Sequence, residues 1–150
     1  DYYLIDVRDI DPRFFTSCTE DDGSHDCPYN VQNFPYQHSD NTAMSMEYRF
    51  DRYNCDDANE SGAEKVYVLN VATRGFLRAQ VSSADDEQVD PDLHLLQGDD
   101  AYACESRGHR EISKELVPGR YVLIVDTWVN EEGVALAGDY DLSLQWAPID

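Results

Sequence analysis

Carboxylates are the side chains with the most chemistry to offer in this sequence. Glu60, Glu64, Asp90, Asp92 and Asp126 flank runs of strand-forming residues, where a sheet would hold their oxygens in fixed positions. Calcium takes roughly six to eight oxygen ligands at about 2.3–2.6 Å, so these five residues are the expected calcium set. The alternative is a solvated acidic surface without an ion, because no Asp-x-Asp-x-Asp-Gly ladder is present. Glu20, Asp21, Asp22 and Asp26, between Cys18 and Cys27, form a second and weaker candidate. Among the four histidines, His94 and His109 would approach one another if their strands pair, and Asp92 shares a strand face with His94. A zinc site would need a third ligand to converge on them. With no HExxH or HxH spacing, ordinary polar histidines are the simpler expectation, and both stand as candidate ligand contacts. Trp128 follows the most apolar run and enters a long polar stretch. It is a candidate platform for stacking on a sugar or an apolar side chain, or else a core or edge tryptophan.

Independent catalysis finds little support. A nucleophile needs a positioned Ser or Cys, a His base and an orienting carboxylate, and the sequence has no Gly-x-Ser-x-Gly elbow and no Ser-x-x-Lys. Paired carboxylates suited to glycoside hydrolysis reflect only the abundance of acids. No catalytic residue is assigned. Arg107, Arg110 and Arg120 form no basic stripe and are expected to pair with the surrounding carboxylates. The four cysteines lack CxxC and CxxH spacing, so disulfides are favoured over zinc, and with them an oxidising compartment. Four cysteines allow three connectivities. Cys18 with Cys27 is the natural local bridge, leaving Cys55 for Cys104, and free buried thiols are the alternative.

Charge narrows the partners. The 31 acidic residues against 11 basic ones give a net charge of −20, which repels the phosphate backbone and anionic lipid. Nucleic acid is not an expected partner. No apolar run approaches the roughly 20 residues that cross a bilayer, so no membrane span is expected either. The opening Asp1-Tyr2-Tyr3-Leu4 has no basic or apolar leader character. A signal peptide is therefore expected outside this sequence, in a longer precursor.

Positioning these groups falls to strands. Tyr2–Val7 reads as strand, and the rest of residues 1–40 as extended coil broken by Asp11-Pro12, Asp22-Gly23, Cys27-Pro28 and Phe34-Pro35. Beyond that, eight strands are expected at Ser45–Phe50, Glu64–Ala72, Phe76–Ser82, Asp92–Leu96, Ala101–Glu105, Glu111–Leu116, Arg120–Thr127 and Gly138–Trp146. Tyr121–Val125 is apolar throughout and predicts a central strand covered on both faces. Thr73–Gly75, Gln97–Asp100 and Pro118–Gly119 read as tight turns, and Asp51–Ala63, Ser83–Pro91, Ser106–Arg110 and Trp128–Ala137 as longer loops. Successive antiparallel hairpins would gather those longer loops at one pole, with Asp56, Asp57, Asn59 and Glu60 among the residues collected there. The expected organisation is a disulfide-pinned N-terminal extension or linker (1–40) followed by an antiparallel, jelly-roll-like β-sandwich (41–150).

The polar loop and strand Asn59-Glu60-Ser61-Gly62-Ala63-Glu64-Lys65-Val66-Tyr67 is followed by Asp92-Leu93-His94-Leu95-Leu96. Then come Pro118-Gly119-Arg120-Tyr121-Val122-Leu123-Ile124-Val125-Asp126 and the closing Gly138-Asp139-Tyr140-Asp141-Leu142-Ser143-Leu144. In that order these pieces resemble the bacterial pre-peptidase C-terminal domain family, whose relatives include collagenase collagen-binding domains. The variant Asp126-Thr127-Trp128 is similar to modules appended to secreted proteobacterial hydrolases such as peptidases and peptidoglycan amidases. The resemblance implies a non-catalytic accessory module, secreted or in the cell envelope and monomeric. It would lie beside a catalytic domain of the same precursor and bind an extracellular polymer or protein surface. The alternatives are a ligand-free extracellular spacer and, further off, a small hydrolase.

Overall fold

Alternating apolar and polar residues need a partner sheet, and this chain supplies two. The computed structural model describes residues 18–149, and the strand expected at Tyr2–Val7 lies outside them. Nine strands follow in chain order: β1 (Tyr29–Val31), β2 (Tyr36–Asn41), β3 (Lys65–Val71), β4 (Gly75–Ser82), β5 (Pro91–Gln97), β6 (Cys104–Gly108), β7 (Glu111–Leu116), β8 (Gly119–Thr127) and β9 (Asp139–Pro148). One sheet has the order β1-β3-β8-β5-β6, the other β2-β9-β4-β7. All neighbours are antiparallel except β1, which runs parallel to β3. This is the all-β sandwich that the strand pattern implied.

The two inner faces make the main core. Tyr67, Leu69, Leu93, Leu95, Leu123 and Val125 of the five-stranded sheet pack against Leu77, Ala79, Val81, Leu142 and Leu144 of the other. Each leucine removed from water there contributes roughly 1.5–3 kcal/mol. A second apolar layer lies on the outer face of the five-stranded sheet, where Val66, Leu96, Val122 and Ile124 are covered by Tyr53 and Ala101. β8, in the middle of that sheet, is thus buried on both sides, which is why it carries no polar alternation between Tyr121 and Val125.

Four local expectations are corrected. Ser45–Phe50 is not a strand but an extended segment, held by side-chain and single backbone bonds: Ser45 Oγ donates to Glu64 O (2.5 Å) and Glu64 N to Glu47 O (3.0 Å). Ala101–Glu105 opens with a 3-10 turn, Ala101–Ala103, capped by the Asp100 carboxylate on Tyr102 N (2.9 Å), and β6 begins only at Cys104. β6 then runs to Gly108, so the expected loop at Ser106–Arg110 shrinks to His109 and Arg110. Gly108 makes that tight passage possible, since a Cβ there would lie 1.9 Å from Glu111 O. Finally, the stretch assigned to the extension supplies β1 and β2, and the boundary at residue 40 falls inside β2. Both are edge strands. An edge needs one partner only, so it tolerates the polar Gln37-His38-Ser39-Asp40 run and nearby prolines that mask its strand character.

The long connections 42–64, 83–90 and 128–138 leave from one rim, as the registers Lys65↔Val125 and Pro91↔Thr127 require. Backbone bonds stitch them together: Thr42 N to Gly138 O (2.9 Å), Asp90 N to Leu136 O (2.8 Å) and Val129 N to Asn59 O (2.9 Å). Both expected disulfides form, Cys18–Cys27 and Cys55–Cys104. The second fastens the segment that covers the outer face to the start of β6.

Candidate functional site

Strand register places three carboxylates in a row on the outer face near the loop-bearing rim. Asp92 of β5 and Asp126 of β8 are direct partners. Glu64 immediately precedes Lys65, whose partner is Val125, and so stands beside Asp126. His94 lies two residues along β5 on the face of Asp92. The covering segment lowers Tyr53, Asp56 and Glu60 onto this row. The Tyr53 ring stacks on His94 (centroids 3.8 Å apart, planes at 11°), and its hydroxyl donates to Asp126 Oδ2 (2.5 Å). Glu60, Glu64, Asp92, His94 and Asp126 are all buried.

Four of the five residues expected to bind calcium are already engaged. Asp126 Oδ1 accepts from Thr127 N (2.8 Å). Glu64 accepts from Phe50 N (2.8 Å) and lies 2.5 Å from His25 Nε2. Asp92 meets His109 Nδ1 (2.8 Å) and Arg107 Nη2 (3.3 Å), and Asp90 accepts from Arg110 Nη1 (3.0 Å). A calcium shell takes roughly six to eight oxygens, and among the described residues these five do not gather into one ligand group: Glu60 groups with Asp56 and His94, and Asp90 and Asp92 with His109. Glu60 differs, because neither of its oxygens meets an N–H or hydroxyl donor. Burial first, then a proton shared with the Asp92 carboxylate and the charges of Asp92, Asp126 and Asp56, push its carboxyl up to about 11. Asp126 is likewise driven well above the usual range by burial and by Glu64. Asp56 goes the other way: its burial opposes ionisation, but the Ala58 N–H and the Arg107 charge outweigh it.

The histidines separate. His94 is fully buried beneath Tyr53, and burial lowers its pKa to about 4. It groups with Asp56 and Glu60, whereas His109 groups with Asp90 and Asp92. Arg107 and Arg110 pair with carboxylates, Arg107 through Asp56 (2.9 Å) and Asp92 (3.3 Å). Trp128 sits half-buried on the rim, its backbone N–H donating to Asp90 O (3.3 Å). Within the Cys18–Cys27 loop, Asp22 accepts from Ser24 N and Asp26 reaches Arg49, and among the described residues no metal-binding cluster forms there.

Sequence reasoning missed His25 and Tyr53. His25 is clamped between Glu64 and Asp99 (2.8 Å). Burial alone would lower its pKa, but its bonds to Asp99 and Glu64 and their charges overcome this and raise it to about 9. No local pattern marks either residue, because both come from coil laid across the sheet. Coil also presents an outward row. Met44, Met46 and Tyr48 are 75%, 85% and 56% exposed. Between them Ser45 and Glu47 turn inward, and Glu47 Oε1 accepts from His25 N (2.6 Å). Met44 and Met46 are both of the methionines in the chain.

No protein-family model and no curated protein matches the sequence. Solved structures do match the fold. The pre-peptidase C-terminal domain of a collagenase from Bacillus anthracis superposes with a TM-score of 0.52 at 18% identity, over 79% of this chain and 94% of that one. PliG, a periplasmic inhibitor of g-type lysozyme from Aeromonas hydrophila, gives 0.51 at 10% identity, over 80% and 96%. At such identities the likeness speaks for architecture. The chain has the two-sheet sandwich of a pre-peptidase C-terminal domain, as its ordered sequence pieces implied.

Proposed function

We propose that this chain is a non-catalytic accessory module of an extracellular multidomain protein. It docks on a polymer or protein surface through the ridge of Met44, Met46 and Tyr48. The exposure of that ridge carries the reading. Single apolar residues at a surface are ordinary, but here three alternate positions on one pinned segment present large apolar side chains to solvent together. Methionine is adaptable and tyrosine pairs an apolar body with a polar tip, the chemistry of contact surfaces. A non-catalytic role is supported by the cysteines, all four of which are in disulfides and leave no thiol nucleophile. The two disulfides support an oxidising compartment. The collagenase domain that shares the fold supports a position beside a catalytic domain.

Co-sedimentation with insoluble peptidoglycan, fibrillar collagen and cellulose tests the reading. The module is expected to pellet with one of them, without degrading it, and the double variant Met46→Ser/Tyr48→Ser to lose at least tenfold in retention. Equal retention of the variant, or retention by none of the polymers and no protein partner, would leave a spacer in its place.

A further inference from the structure

We propose that Asp56, Glu60 and His94 hold a borderline divalent cation of the zinc class beneath the covering segment. One ligand atom from each lies within 4.8 Å of those from the other two. Glu60 and His94 are 0% exposed; no N–H or hydroxyl donor meets either oxygen of the one, and neither ring nitrogen of the other has a hydrogen-bond partner. Buried polar atoms are almost always paired. Glu60 can offer a carboxylate oxygen and His94 the unprotonated nitrogen of its neutral ring to a partner that lies between them. A cation accepts lone pairs from all three residues at once, whereas a water molecule has only two protons to give.

The third ligand, Asp56, is available as well. Its Oδ1 accepts from Ala58 N (3.0 Å), leaving Oδ2, which lies 3.5 Å from His94 Nε2. Arg107 Nε approaches the same oxygen at 2.9 Å, but its N–H is not directed at it, and neither atom makes a hydrogen bond. Charge argues the same way. Asp56 and Asp92 share the guanidinium of Arg107, and Glu60 adds a further carboxyl beside Asp56, an excess that a divalent ion would offset. The donor set selects the ion: calcium takes oxygen ligands, while an imidazole nitrogen with two carboxylates suits zinc and its neighbours. Stacking against Tyr53 fixes the imidazole plane. A second oxygen of Glu60 or a water completes the coordination. The neighbouring group of Asp90, Asp92 and His109 has no such orphans, because its members bond one another and Arg107 and Arg110.

The test starts from chelator-stripped protein and follows the melting midpoint with one to several equivalents of zinc, calcium or magnesium, with native mass spectrometry for stoichiometry. Zinc is expected to raise the midpoint at one ion per chain, and cobalt(II) to give a visible absorption band in its place. Glu60→Gln keeps the size and shape of the side chain and removes the ligating carboxylate. It should fold and lose both the zinc shift and the cobalt band. His94→Gln should lose them too, and His109→Gln should keep them. The proposal is overturned by the absence of a zinc shift, by a shift with calcium alone, or by a zinc shift that survives in Glu60→Gln.

Discussion

The clamp on His25 makes stability fall with rising pH across a window where few other groups titrate. Its two ring nitrogens face Glu64 (2.5 Å) and Asp99 (2.8 Å), with the Arg49 guanidinium beyond Asp99 (3.3 Å), Glu47 on its backbone N–H and the Phe50 ring against its edge. The folded protein holds the proton to about pH 9, against 6.5 for an ordinary imidazole. The folded state therefore binds more protons than the unfolded state between those values. The stabilisation is fully present below pH 6.5, declines as pH rises and is gone above about 9. At ~1.4 kcal/mol per pH unit the loss is about 3 kcal/mol. Urea unfolding at pH 6, 7.5 and 9 should show it, and His25→Gln should flatten the decline while lowering stability most at pH 6. A wild-type curve that stays level from pH 6 to 9, or one whose slope the variant reproduces, would refute the clamp.

The two disulfides should differ in worth. Cys55–Cys104 closes a separation of 49 residues and Cys18–Cys27 one of 9, which on chain entropy correspond to about 4 and about 2.5 kcal/mol. Paired Cys→Ser variants compared by urea unfolding check the order, and a larger loss from the shorter loop would contradict it. Tyr53→Phe keeps the ring on His94 but removes the donor to Asp126, for an expected cost of about 1–3 kcal/mol. An unchanged midpoint would mean that the Asp126 oxygen finds another donor.

Strands that bury a face were legible, because alternation or continuous apolarity survives wherever a sheet has two covered sides. β3, β4, β7, β8 and β9 follow from their residues, and so does the gathering of long connections at one rim. What stayed hidden was settled between distant pieces of chain. The alternation of Ser45–Phe50 is real, but its inward side chains bond Glu64 and His25 rather than entering a ladder, so the pattern of a strand appears without one. β1 and β2 carry polar residues and lie near prolines because an edge tolerates them. At the candidate site, Asp92, His94 and Asp126 could be read from their strands. Tyr53 and Asp56, which meet them, and His25, which meets Glu64, arrive on coil whose path no periodicity encodes. Nor does the sequence say that Glu64 and Asp126 spend their oxygens on Phe50, His25, Tyr53 and Thr127 while Glu60 meets no such donor.

Methionine reactivity offers the sharpest test of the docking ridge, since Met44 and Met46 are the chain's two methionines and both lie on it. Brief exposure to dilute peroxide, with and without the polymer that retains the module, followed by mass spectrometry, reads how far each sulfur is covered. Docking through the ridge predicts that oxidation of both slows several-fold in the bound state. Unchanged oxidation of Met44 and Met46 in fully bound module would contradict it and move the contact surface elsewhere on the sandwich.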